Sequence, residues 1–249
     1  MMRRDGISWR AWVVASIGGL LILATGSAAA STWRVEKDGT GDFTVIQDAV
    51  EAAASGDTIL LGPGRFPEFV EYQSNQTFWK VCVLIQDLPE LTLIGSGASE
   101  TIIEFEDGYD PGYWTTAVQS YPSESLVVSG IGFGDFLHGV TIDGGALRVV
   151  NCVFRCDGLC GSAVNPINGV SAQVIGTEVI GQWNTGIGTY GFGCDDILVQ
   201  FCRFEGCARG VQSQTTANPS VRVYDSEFEE CIISGVTISD GSGGEVRRN

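Results

Sequence analysis

Apolar positions in the second half of the chain fall into short runs that recur. Leu126 to Phe133, Leu147 to Phe154, Ala172 to Val179, Ile197 to Phe204 and Val221 to Phe228 share one eight-residue shape. Each is apolar at its first, third and last positions, and successive starts lie 21, 25, 25 and 24 residues apart. A second phrase keeps the same period: Gly139-Val140, Gly161 to Val164, Gly186-Ile187, Gly210-Val211 and Gly235-Val236. Runs this short, rich in Val, Ile and Gly, suit strands with tight corners; a helical repeat needs ten or more residues at 3.6 spacing. The Leu-x-x-Leu-x-Leu pattern of a leucine-rich repeat is absent.

A period near 24 built from alternating strands predicts a solenoid coil of three strands per turn. In the best-defined turn the strands are Gly139 to Asp143, Leu147 to Val149, and the run ending at Phe154. Alternation points Val140, Ile142, Leu147, Val149 and Phe154 inward. Phe133, Phe154, Val179, Phe204 and Phe228 should then stack as an internal ladder. Ile131, Cys152, Thr177, Cys202 and Ser226 should form a second ladder at the bend. The expected architecture is all-β, a right-handed parallel β-helix.

The stack needs a cover at its base. Phe43 to Ser55 carries Ile46, Ala49, Val50 and Ala53 at helical spacing, so an amphipathic capping helix is expected there. Thr44 with Gln47 has the capping-box pattern, and Gly56 can close the helix. Irregular early rungs follow at Gly56 to Leu61, Lys80 to Leu84, Leu91 to Gly95 and Thr101 to Phe105, with an inserted loop at Glu106 to Trp114. At the other end, Glu245 to Asn249 looks like the start of another rung, so further C-terminal rungs or a covering partner are expected.

The first residues have a different pattern. Arg3, Arg4 and Arg10 precede an apolar run from Ala11 to Ala24, and Ala28-Ala29-Ala30 supplies small residues. This is the order of a cleaved secretory signal over residues 1–30. Fourteen apolar residues fall short of the roughly 20 that span a bilayer, and no later segment is apolar enough to do so. One β-helix domain is expected over residues 31–249, secreted to the extracellular space or the periplasm.

The formal net charge is −16. The three arginines and Asp5 leave residues 1–30 at +2, so the remaining 219 residues carry −18. Such a surface repels nucleic acid and anionic lipid, and repels an acidic polysaccharide unless a cation bridges the two. Export permits disulfides among the eight cysteines. Cys207 and Cys231 each follow their ladder Phe by three residues on adjacent rungs. They either form a disulfide or fill the core as free thiols. No pair of CxxC motifs and no His partners support a zinc site, and His138, the only histidine, sits at a turn in a structural position.

Val35 to Val50, with Gly56-Asp57-Thr58-Ile59 and Pro63 to Glu68, resembles the opening of the pectin lyase-like superfamily. It is most similar to the start of pectin methylesterases and of bacterial β-helix proteins of unassigned activity. The resemblance covers the cap closely and the rungs by general pattern. It implies the fold but does not fix a reaction. The Gln-Asp-Thr-Leu, Asp-Phe-Ile-Phe-Gly and Gly-Arg-Pro-Trp motifs of pectin methylesterases do not occur here, so no catalytic residue carries over.

In similar proteins the working groove follows the first strand of each rung. Outward positions there are Thr141, Asp143, Tyr190, Gln212, Gln214, Thr237 and Ser239, with Trp183 and Phe192 in nearby loops. Asp143, Trp183, Tyr190, Gln212 and Gln214 are the candidate substrate-binding residues, because aromatic faces beside amides and carboxylates suit sugar rings. Similar lyases use calcium to bridge an acidic chain and an arginine to take the proton. Asp195 and Asp196 with Asp143 can supply oxygen ligands for calcium, or the two adjacent aspartates are turn formers; Arg209 is the groove-side arginine. A glycosidase needs two acids about 5–10 Å apart, and Asp143 stands alone on its face. The chain is therefore read as a secreted β-helix protein that binds or processes polysaccharide, as a lyase, esterase or hydrolase if it is an enzyme. The alternative is a non-catalytic surface, adhesion or spacer module. An accessory protein of copper maturation is disfavoured by the lack of His and Met clusters.

Overall fold

The computed structural model describes residues 29–74, 77–106, 113–191, 194–215, 220–239 and 243–249. The expected signal segment therefore lies outside the described residues, apart from Ala29 and Ala30. From Thr32 onward the chain winds into a parallel β-helix of about eight turns. One face is a nine-stranded parallel sheet: Thr32–Val35, Asp57–Leu61, Glu90–Gly95, Ser125–Ser129, Ala146–Val150, Val170–Ile175, Cys194–Gln200, Ser220–Tyr224 and Gly243–Arg247. The other two faces merge into one thirteen-stranded sheet, because Val153–Ile167 and Glu178–Gly191 run through both. Among the described strands, Val70–Ser74 on Thr77–Gln86 is the antiparallel pair.

The inward ladder forms as the sequence predicts. Phe133 pairs in register with Phe154, Phe154 with Val179, Val179 with Phe204, and Phe204 with Phe228. The Phe133 and Phe154 rings stack at 4.7 Å, and those of Phe204 and Phe228 at 5.0 Å. The column continues downward through Ile103 to Phe66, two rungs in which no Phe133-like phrase was legible. The second-phrase glycines make room for these rings. A Cβ on Gly139 would lie 2.6 Å from the Phe154 ring, and one on Gly186 the same distance from the Phe204 ring. The bend ladder is also buried: Ile131, Cys152, Thr177, Cys202 and Ser226 are each at most 3 % exposed. The Thr177 and Ser226 hydroxyls accept the Cys152 and Cys202 amides.

Just before that ladder the chain turns through one left-handed residue per rung: Gly130, Asn151, Gly176, Phe201 and Asp225. Each donates its amide to the next rung, to Val150, Ile175, Gln200, Tyr224 and Arg247 respectively, at 3.0–3.2 Å. The corner is thus satisfied by its neighbour rather than by water, as buried backbone requires.

The cap is shorter than its apolar spacing suggests. The helix is Ile46–Ala52, and Val45 precedes it without a side-chain cap. Ile46, Ala49 and Val50 are buried as expected. Gln47 does not box the helix end. Its amide pairs with the Leu84 peptide group in both directions, at 2.9 and 3.1 Å, and so ties the helix to a strand. Asp57 locks the base. Its carboxylate accepts the Ser31 and Ala54 amides and the Trp33 indole N–H at 2.6–3.0 Å. Burial alone would raise its pKa; those donors outweigh burial and hold it below the ordinary range.

Candidate functional site

Inserting the antiparallel pair gives the early rungs a wall. Val70–Ser74 folds back on Thr77–Gln86 so that Tyr72 lies opposite Trp79. Their rings stack at 5.9 Å and 6°. Trp79 pairs in turn with Trp114 on the next rung, with centroids 5.2 Å apart. The Tyr72 hydroxyl donates to Gln119 Oε1 at 3.0 Å, which fixes the ring over the sheet. Burial raises the Tyr72 pKa above the ordinary tyrosine range, so the hydroxyl remains a donor.

Beside this wall is an open cleft of about 230 Å³, lined by Tyr72, Trp79, Gln119, Tyr121, Thr141 and Asp143 among others. Strand register builds its floor: Gln119 pairs with Thr141, and Thr141 with Asn165. Asp143 ends its strand at the cleft edge, and Asn168 Nδ2 donates to its Oδ1 at 2.9 Å. Gln86 donates to the Tyr121 hydroxyl at 2.6 Å. Thr141 is 8 % exposed, and its hydroxyl has no hydrogen-bond partner.

The other sequence candidates do not gather here. Trp183 was expected in a loop, but it is 0 % exposed and packs edge-on to Phe154 at 6.3 Å. It occupies the interior where the ladder has the smaller Val179, and no sugar reaches it. Gln212 is 4 % exposed, and its Oε1 accepts the Thr185 hydroxyl at 3.1 Å; it is structural rather than open to a ligand. Gln214 is exposed, in register between Tyr190 and Ser239. The Tyr190 and Asp195 side chains, and Phe192, lie outside the described residues. Arg209 donates to Asn184 Oδ1 at 3.3 Å.

Of the calcium candidates, Asp143 and Asp196 do not converge. Asp196 stands on the nine-stranded sheet and Asp143 on the other, and Asp196 is already ion-paired with Arg222. Of the two readings left open for Cys207 and Cys231, the structure has the free thiols. The two thiols hold adjacent rungs, and the bridge joins Cys156 to Cys160. Burial and the neighbouring Cys231 push the Cys207 thiol up to about 12, which keeps it unreactive. His138 opens its strand with Nδ1 unpaired and lies beside Trp114, the two rings tilted at 39°; burial pushes its pKa down to about 4.

Sequence reasoning found Asp143 and Thr141 but missed Tyr72, Trp79, Gln119 and Tyr121. The available signal was two apolar-rich runs flanking the polar stretch Ser74-Asn75-Gln76, which is a hairpin pattern in sequence. The molecule is thus a parallel β-helix protein carrying an aromatic-walled polar cleft on one face. No protein-family model matches the chain, and no curated protein matches it.

Proposed function

We propose that this is an exported β-helix protein of the pectin lyase-like kind that binds a neutral polysaccharide in the cleft between Tyr72–Trp79 and Asp143. The stacked Tyr72–Trp79 wall beside Gln119, Tyr121 and Asp143 carries this reading. Sugar rings have apolar C–H faces that pack on aromatic rings and hydroxyls that need fixed donors and acceptors. Gln119, Tyr121 and Asp143 supply those polar groups within one cleft. The charge of −16 and the Asp143 carboxylate favour a neutral chain over an acidic one. Asp143 is the one carboxylate among the cleft-lining residues, whereas glycoside hydrolysis uses two. The reading is therefore binding, and not two-carboxylate hydrolysis.

A glycan array with the exported chain tests this, run beside Trp79→Ala and Asp143→Ala. Binding to neutral glycans is expected, weakened about tenfold or more by Trp79→Ala, since losing one aromatic anchor costs roughly 1–2 kcal/mol. Absence of glycan binding, or binding that both variants retain in full, would overturn the proposal and favour a spacer or adhesion module.

A further inference from the structure

On a different face, one irregularity breaks an otherwise regular strand. Cys156 pairs with Gly181 and Cys160 with Trp183, so three residues bulge out opposite one. The bulge returns the two cysteines side by side, with Cα atoms 6.3 Å apart. Asp135, from the rung before, reaches the same point, and its Oδ1 accepts the Asp157 amide at 2.7 Å. One carboxylate oxygen and two sulfurs lie within 4.8 Å of one another. Among the described residues this is the one group of three or more such ligands. The sulfurs are buried, while Asp135 and Asp157 line an open cleft of about 250 Å³ beside them. A Cβ on Gly158, within the bulge, would meet nothing within 4 Å, so the bulge has room to spread.

We propose that Cys156, Cys160 and Asp135 form a redox-gated site for a thiophilic divalent cation. Oxidised, the two cysteines are a staple across the bulge. An external dithiol reduces them: its two sulfurs join as a disulfide, and two electrons and two protons pass to Cys156 and Cys160. A divalent ion then displaces the two thiol protons and is held by two thiolates and the Asp135 carboxylate. Water from the cleft fills the fourth position of a tetrahedral site. Two thiolates and one carboxylate neutralise the ion with one negative charge to spare, and soft sulfur ligands select zinc-like ions over calcium or magnesium.

The test uses cadmium(II) on the full chain in a Cys207→Ser/Cys231→Ser background, which removes the other adjacent thiol pair. Cadmium is titrated before and after phosphine reduction and followed by the ultraviolet thiolate-to-metal band. One equivalent is expected in the reduced protein and none in the oxidised one. Asp135→Asn keeps an oxygen for the Asp157 amide but removes the charge. It should weaken binding about tenfold or more with the thiol count unchanged. Equal titration of both redox forms, a band that survives Cys156→Ser/Cys160→Ser, or an Asp135→Asn variant of unchanged affinity would each overturn the site.

Discussion

The clearest single-residue consequence lies at His138. Burial holds its pKa near 4, against an ordinary value of 6.5. The folded protein therefore binds this proton later than the unfolded chain does. Stability from the neutral imidazole is complete above pH 6.5 and is lost as pH falls from there towards 4. The loss amounts to about 3 kcal/mol over that window. Urea midpoints for the wild type and His138→Gln, measured from pH 7 to pH 4, should converge as the solution is acidified. Parallel curves would show that the imidazole does not titrate this way. Its structural role was legible in the sequence because a lone histidine before Gly139 has no partner for chemistry. The interior position of Trp183 was not, because spacing alone cannot show that Val179 leaves room inside the ladder.

Among the elements, the bend column has one costly member. Phe201 takes φ 56° and leaves its ring 59 % exposed. A left-handed conformation costs an L-residue roughly 1–2 kcal/mol. Asn151 occupies the equivalent corner two rungs below with φ 52°, and asparagine tolerates that region. Phe201→Asn should raise stability by about 0.5–1 kcal/mol, read as a higher thermal midpoint at unchanged fold. A lower midpoint would mean that ring contacts outweigh the backbone cost. The repeat strands were legible because two phrases kept one period. The hairpin was not, since Lys80 to Leu84 reads as an ordinary rung when its antiparallel neighbour is overlooked. Helix length was overestimated for a related reason: Ile46, Ala49, Val50 and Ala53 keep helical spacing, yet Ala53 already has extended backbone.

In the whole molecule, stability and recognition divide between interior and exterior. Each rung buries its apolar side chains against its neighbours, so the ladders specify the coil while outward positions stay free to vary. That is why the sequence reports the architecture strongly and the ligand weakly: periodicity exposes what repeats, and the cleft is built from what does not. Tyr72 and Trp79 come from an insertion, and only Thr141 and Asp143 belong to the regular phrase. Acidic charge over the rest of the surface narrows the ligand class without locating the site. The most direct measurement is a crystal structure of the protein with a neutral oligosaccharide taken from array hits. A pyranose ring packed against the Tyr72–Trp79 wall, with hydroxyls at Gln119, Tyr121 or Asp143, is the expected result. An empty cleft with the sugar bound on another face would contradict it.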